Sequence, residues 1–250
     1  RFFQHGAAAT AAFAILPSSN ARAAAPVKIG IIGCGGRGRG AAENCLRADD
    51  AVQIHALADL FPDRLQEMRD RLAKREIEVP DERCFTGWDG YKDLLKTDVD
   101  YVCLTTPPVF RPVMLEAAVT AGKHVFMEKP AAVDAPGIRR IIEAGKQAKA
   151  KGLSIVAGAQ RRHEKRYQDT IRRLQDGAIG EILAANVYWC GGVIKFRPRK
   201  PGMSETEYQI RNWYHYLWTS GDHIVEQHVH NIDVALWVMG KHPVKASGYG

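Results

Sequence analysis

The feature that most constrains the fold is a glycine-rich turn near the start of the chain. The apolar run Val27 to Ile32 predicts a buried strand, and the next six residues read Gly-Cys-Gly-Gly-Arg-Gly. This G-x-G-x-x-G spacing, between a strand and a helix, lets the backbone turn tightly, approach a pyrophosphate and pack helix on strand. We therefore predict a cofactor-binding loop made of Gly33, Gly35, Gly36, Arg37 and Gly38. The Arg37 side chain could approach a phosphate or simply be exposed.

An acidic residue follows the second predicted strand. Residues Val52 to Ala58 are apolar enough for a buried strand, and Asp59 comes directly after them. A carboxylate at this place accepts hydrogen bonds from ribose hydroxyls and repels a 2′-phosphate, which favours NAD over NADP. The alternative is an ordinary glycine turn with an incidental aspartate.

Strands and helices then alternate along the chain as far as Ala157. Further strands are predicted at 99–105, 125–127 and 153–157, and helices at 39–46, 62–74, 112–121 and 136–150. Alternation of this length is typical of βαβ units with a parallel sheet. We predict an α/β fold, with a dinucleotide-binding Rossmann domain over residues 26–160.

The pattern changes after Gln160. A basic helix to about Leu174, a strand from Glu181 to Trp189, a helix from Asp222 to Met239 and a strand beginning near Val244 are predicted. We interpret residues 161–250 as a second α/β domain that is incomplete at its C-terminal end.

The first 25 residues are predicted to be an export signal. The apolar run Gly6 to Leu16 is too short to span a bilayer, and Ala21 to Ala23 has the A-x-A form of a cleavage site. If the residue before Arg1 is also arginine, the start resembles a twin-arginine signal, because Phe3 falls where that signal requires phenylalanine. This route carries folded proteins, so the protein would reach the periplasm with its cofactor bound. An ordinary secretory signal, a disordered tail and a cytoplasmic location are the alternatives.

Net charge and cysteine content give weak evidence against a nucleic-acid surface, a zinc site and a disulfide framework. The net charge is +7, and the basic residues between Arg161 and Arg173 fit a solvated helix face better than a nucleic-acid surface. Five cysteines without a C-x-x-C pair suggest neither a zinc site nor a disulfide framework. We expect no nucleic-acid partner, no bound metal, and no membrane span once the signal is removed.

Residues Ala121 to Pro130 carry a more specific pattern, Ala-Gly-Lys-His-Val-Phe-Met-Glu-Lys-Pro. With the glycine loop, it resembles the glucose–fructose oxidoreductase, inositol dehydrogenase and MocA family, over nearly all of the chain from Val27. The resemblance implies that Lys129 lies beside the nicotinamide and the reacting hydroxyl, and that Glu128 approaches the cofactor ribose. We also predict cofactor contacts for Thr106, Pro107 and Gln160.

The second signature of that family usually reads D-x-x-x-H-x-x-D, and residues Glu226 to Asp233 are similar to it. The resemblance also implies that residues 161–250 form an open-sheet α/β substrate domain, the domain that carries this signature. His230 takes the histidine place, and Glu226, also predicted to be catalytic, replaces the usual aspartate, a departure that leaves its role open. On a helix, Glu226, His230 and Asp233 would share one face. A metal site formed by His223, Glu226 and His230 is a less favoured alternative.

The resemblance implies hydride transfer between NAD and a secondary hydroxyl or ketone of a sugar, glycoside or polyol. His230 is the predicted base, and Lys129 would orient the hydroxyl and stabilise the alkoxide. Candidate substrate contacts are Arg211, Asn212, Trp213, Tyr214 and Trp218. This aromatic cluster could equally be core or an oligomer interface. The alternatives are an NAD-dependent glycosidase, which oxidises its substrate transiently, and a degraded NAD- or sugar-binding protein. We expect a homo-oligomer when the chain is full length.

Overall fold

The computed structural model describes residues 25–249. The predicted export signal lies almost entirely outside the described residues.

A six-stranded parallel sheet forms the centre of the fold. Its strands are β1 (Val27–Ile32), β2 (Val52–Asp59), β3 (Cys84–Thr86), β4 (Tyr101–Leu104), β5 (His124–Met127) and β6 (Ile155–Ala157). They lie in the order β3-β2-β1-β4-β5-β6, so the chain reverses its direction across the sheet between β1 and β4. In open parallel sheets ligands bind outside the carboxyl ends of the strands at such a reversal. The predicted α/β fold is confirmed.

Helices connect these strands and cover both faces of the sheet. They are α1 (Gly36–Ala48), α2 (Pro62–Ala73), α3 (Gly90–Leu95), α4 (Arg111–Thr120) and α5 (Ala135–Ala150). Alternate residues of a strand face opposite sides, and on β4 Val102 and Leu104 join one apolar core while Cys103 joins the other. The sheet is therefore packed on both sides, as a parallel sheet requires.

The region after Ala157 is helical. It contains α6 (Lys165–Gln175), α7 (Glu205–Arg211), the short α8 (Leu217–Ser220) and α9 (Val229–Met239), which follows a π-helical turn, Ile224–His228. Ser204 caps α7 by accepting a hydrogen bond of 3.1 Å from the Glu207 amide. The π turn and α9 together replace the single helix predicted from Asp222.

Two predicted strands of this region are wrong. Residues Glu181 to Trp189 have no regular secondary structure and are mostly exposed, and no strand begins near Val244 within the described chain. A strand needs a neighbour for its backbone hydrogen bonds, and the described residues offer none to either segment. Conversely, β3, α3 and α7 are too short to have been predicted from periodicity.

Across residues 25–249, no helix combines the length and the apolar character that crossing a membrane would require.

Candidate functional site

The glycine loop joins β1 to α1 at the reversal point of the sheet. Gly33 has a φ of +97°, and a Cβ there would lie 2.8 Å from the Thr106 amide nitrogen. A Cβ on Gly38 would lie 1.8 Å from the Gly33 carbonyl oxygen, so only glycine allows α1 to pack against this turn. Gly35 and Gly36 face open space, and no side chain caps the N-terminus of α1. The loop thus leaves its backbone open to an anionic ligand.

Asp59 ends β2 and fastens the glycine loop from the side. Its carboxylate accepts hydrogen bonds from the amides of Cys34, at 2.6 Å, and Phe61, at 2.8 Å. Burial raises the pKa of this carboxyl, and the two amides oppose that rise. Asp59 therefore shapes the loop, and its predicted contact with a ribose stays a prediction.

A cavity of about 320 Å³ opens between the loop and the region after Ala157. On the sheet side the predicted cofactor residues Gly33, Gly35, Gly36, Arg37, Asp59, Thr106 and Pro107 line it. On the other side it is closed by residues that include Arg197, Arg211, Trp213 and Tyr214. The structure thus brings most of the predicted cofactor loop and part of the predicted substrate cluster to one space. Gly38 lies behind the loop, and Gln160 is exposed at the start of a 3₁₀ turn away from the cavity lining.

Arg37 links this cavity to the end of β5. Its Nε donates to Glu128 Oε1 at 3.1 Å, and a second guanidinium nitrogen donates to the same oxygen. Glu128 is buried, and the absence of a side chain at Gly158 leaves room for its carboxylate. The Arg37 side chain is largely exposed at the cavity wall, and its approach to a phosphate stays a prediction. Glu128 binds Arg37 here, and its predicted contact with a ribose stays a prediction.

Lys129, the next residue, forms an ion pair with Glu226. Lys129 Nζ donates to Glu226 Oε1 at 2.7 Å and also to the Glu226 backbone carbonyl. Glu226 is buried, and burial raises its pKa while the Lys129 ammonium opposes the rise. The glutamate that departs from the family pattern therefore has a clear structural partner.

His230 lies on α9, half-buried beside this pair. Its ring stacks on Trp189, with centroids 5.7 Å apart and planes 18° apart. Burial, and then the positive charges of Lys129 and Arg161, lowers the pKa of His230 to about 4. The imidazole is therefore neutral near pH 7, the form that can accept a proton.

The third residue of the predicted helix face, Asp233, has a different role. It receives Arg162 in a two-pronged ion pair, with Nε to Oδ2 at 2.9 Å and the terminal nitrogen to Oδ1 at 2.8 Å. This pair joins the 3₁₀ turn Gln160–His163 to α9 at the protein surface, so Asp233 does not accompany Glu226 into the site.

The predicted substrate residues divide into two groups. Trp213 and Tyr214 stack with centroids 3.9 Å apart and line the cavity. Burial, then the nearby Glu226 carboxylate, raises the pKa of Tyr214 to about 12. These two aromatic rings are therefore available to a ligand beside the Lys129–Glu226 pair.

The other three predicted substrate residues are occupied by protein contacts. Arg211 pairs with Asp63 at 2.9 Å and lies over the Phe61 ring. The Asn212 amide is buried and bonded to the backbone of Arg197. Trp218 donates to Gln209, outside the cavity lining. Their assignment to substrate stays a prediction that these contacts do not favour.

Arg111 and Trp189 are site residues that the sequence reasoning missed. Arg111 is a buried cation whose guanidinium donates to the Pro130 carbonyl. The signal available was a lone arginine inside the apolar segment that opens α4. Trp189 had been assigned to a strand, and nothing in its neighbourhood indicated stacking on His230.

The metal alternative finds no geometric support within residues 25–249, where no three His, Cys, Asp or Glu side chains are grouped to hold an ion. His223 is instead exposed and bonded to Asp222.

A glycine loop at the reversal point of a six-stranded parallel sheet defines a Rossmann-type dinucleotide-binding protein. The Gfo/Idh/MocA oxidoreductase family, which has an NAD-binding Rossmann fold, matches residues 27–156, just over half of the chain. The chain belongs to this family.

Known relatives extend the likeness beyond the sheet. A myo-inositol 2-dehydrogenase from Thermotoga maritima is 26% identical over 86% of this chain and 55% of its own length. A scyllo-inositol dehydrogenase from Lactobacillus casei, solved with NAD(H) and scyllo-inositol, has a TM-score of 0.61 at 23% identity, over 86% of this chain and 56% of its own. A 3-ketoreductase from Actinomadura kijaniata, solved with NADP, gives the same TM-score and identity, over 86% of this chain and 57% of its own. The chain thus spans about half the length of these relatives.

Proposed function

We propose that the protein is an NAD(P)-dependent oxidoreductase that oxidises a secondary hydroxyl of a sugar or cyclic polyol, or reduces the corresponding ketone. The observation that carries the proposal is the connection between the glycine-loop cavity and the Lys129–Glu226 pair. Arg37 lines the cavity and binds Glu128, the residue before Lys129. Tyr214 lines it from the other side and lies close to Glu226. A cofactor seated on the loop would therefore direct its reactive end towards Lys129.

The open glycine loop and the uncapped start of α1 fit a pyrophosphate, and Asp59 fits a ribose. A bound nicotinamide would accept or deliver the hydride. The Lys129 ammonium would donate a hydrogen bond to the reacting oxygen and stabilise it as an alkoxide. An imidazole nitrogen of His230, neutral at pH 7, would take the hydroxyl proton. Trp213 and Tyr214 would cover the apolar face of the ring.

We further propose a preference for NAD over NADP. Asp59 lines the cavity at the end of β2, and a ribose 2′-phosphate bound beside it would meet its negative charge. The relatives include both a protein solved with NAD(H) and one solved with NADP. Calorimetric titration with each dinucleotide tests this, and tighter binding of NADP would overturn it.

The experiment for the activity follows NAD(P) reduction with inositols and hexoses as substrates, in the protein as its gene encodes it. Lys129→Met should lower kcat at least about 100-fold while NAD(P) still binds, because the variant loses the group that stabilises the alkoxide. Lys146→Met removes an exposed lysine of α5 and is the matched control, with unchanged turnover expected.

Three outcomes separate the possibilities. Turnover near wild type in Lys129→Met would show that the role of Lys129 is wrong. Cleavage of a glycoside without net NADH formation would identify the glycosidase alternative. A wild-type protein that binds NAD(P) but transforms no sugar, polyol or glycoside would refute the proposed activity.

A further inference from the structure

Arg111 is the most deeply buried cation near the proposed reaction centre. It is the first residue of α4 and is only 3% exposed. Its neighbours are the Lys129–Pro130 turn and, from the region after Ala157, Tyr214 and Glu226. A buried charge is costly unless it is paired, so its surroundings must explain why an arginine is placed here.

The contacts of Arg111 point towards Lys129. One guanidinium nitrogen donates to the carbonyl of Pro130, the residue that follows Lys129. The Nε has no hydrogen-bond partner among the described residues. Burial lowers the pKa of Arg111 to about 10, and the charges of Glu226, Glu128 and Tyr214 oppose this in that order. The guanidinium therefore balances the negative charge of the site.

Glu226 is the group whose ionised form Arg111 favours most. It is 2% exposed, and its Oε1 receives Lys129 while its Oε2 accepts no hydrogen bond from the described residues. A carboxylate in such a place would be protonated without nearby cations. Lys129 and Arg111 are the two cations that act on it, from the β5–α5 connection and from α4.

We propose that Arg111 is a positioning residue of the proposed reaction, which keeps Glu226 ionised and holds the Lys129–Pro130 turn, so that the Lys129 ammonium stays aimed at the reacting oxygen. This inference rests on the proposed function. Arg111 touches neither substrate nor cofactor in this scheme and acts through Glu226 and the Pro130 carbonyl.

The groups that set the charge of Glu226 come from each packed element. Besides Lys129 and Arg111, the Tyr214 phenol lies beside it. On its own stretch of chain, His228 ends the π turn and His230 follows on α9. Of the cations among these groups, Arg111 can be exchanged without removing the proposed alkoxide stabiliser, which makes it the one to vary.

The test is the pH dependence of kcat in Arg111→Gln, which keeps a donor for the Pro130 carbonyl and removes the charge. Loss of a nearby positive charge raises the pKa of Glu226, so the acid limb of the profile should move up by about one pH unit. We expect kcat at its optimum to fall about tenfold, with KM for NAD(P) within about twofold of wild type, because the cofactor loop is untouched. Arg111→Lys keeps the charge and should restore the acid limb.

A second readout does not depend on activity. Infrared titration of ¹³C-labelled glutamate, with Glu226→Gln subtracted in each background, follows the carboxylate of Glu226 directly. Its pKa should rise in Arg111→Gln and return in Arg111→Lys. Arg111→Met is the second charge-free variant, should the glutamine variant not fold.

An unchanged Glu226 titration in a folded, charge-free variant would overturn the inference, whether or not the protein has the proposed activity. A raised pKa of Glu226 in the charge-free variant, together with a wild-type protein that has no activity, would instead refute the proposed function. The electrostatic effect of Arg111 on Glu226 would then still hold. Equal acid limbs in wild type and Arg111→Gln would refute the positioning role.

Discussion

The two regions of the molecule differ in what holds them together. Residues up to Ala157 form a complete parallel sheet with an apolar core on each face. After Ala157, the described residues contribute only Ile171 and Ile210 to the buried apolar set, while Leu183, Tyr188 and Val193 stand largely exposed. Since burial of apolar surface is the main source of stability, the first region carries most of it.

The residues of the proposed site, unlike the apolar core, come from both regions. The first region supplies the glycine loop, Glu128 and Lys129, and the second supplies Tyr214, Glu226 and His230. Ion pairs such as Lys129–Glu226 and Arg211–Asp63, with the Arg211 guanidinium over the Phe61 ring, join the two regions rather than an apolar core. The first region can therefore fix the glycine loop alone, whereas the proposed reaction centre needs residues of both regions.

The largest expected difference between the regions is in core packing. Leu115 on α4 is 0% exposed and Leu183 is 81% exposed. Leu115→Ala leaves a cavity in the core and should lower the free energy of unfolding by about 2–5 kcal/mol. Leu183→Ala, the same change at an exposed site, should alter it by less than about 0.5 kcal/mol. Urea unfolding of both variants measures this, and equal losses would show that the second region has a core of its own.

The sequence predicted the first region well because its signals are local. The apolar runs of β1, β2 and β4 are bounded by glycine, aspartate and proline, which stop a strand for steric or hydrogen-bonding reasons. The glycine loop requires a particular backbone at Gly33 and Gly38, and the structure shows why no other residue fits there. Such constraints can be read from one sequence.

The remaining features depend on contacts between distant residues. Residues Glu181 to Trp189 are apolar enough to be predicted as a strand, but a strand also needs a partner, which a local pattern cannot supply. The roles of Arg111 and Trp189 arise from groups more than 40 residues away, Glu226 and His230. Lys129 and His230 were predicted from a family resemblance, and their proximity to each other comes from the fold.

A second prediction tests whether the close packing of Gly38 against Gly33 fixes the conformation of the glycine loop. A Cβ on Gly38 would overlap the Gly33 carbonyl, so Gly38→Ala must push α1 away from β1. We expect a loss of about 1–3 kcal/mol in unfolding free energy and at least about tenfold weaker NAD(P) binding by calorimetry. Gly145→Ala, inside α5 with open space around it, is the matched control and should stabilise by about 0.5–1 kcal/mol. Unchanged binding in Gly38→Ala would mean that the loop adapts, and the packing argument would be lost.

The smallest expected effect concerns the coupling of the two regions through His230. Burial, Lys129 and Arg161 lower its pKa to about 4, whereas an unfolded histidine titrates near 6.5. Between these pH values the unfolded chain binds the extra proton, so stability falls as the pH decreases from about 6.5 to about 4. His230→Gln removes this contribution and should lose less stability than wild type between pH 7 and pH 5, while His242→Gln, at an exposed site, should follow wild type. The difference is small because the ring is only half-buried and its charge is screened by water.

In a Lys129→Met background the wild-type histidine should titrate at higher pH, because one cation is gone. Parallel stability curves for wild type and His230→Gln, measured by urea unfolding across this pH range, would show that the first region does not act on His230.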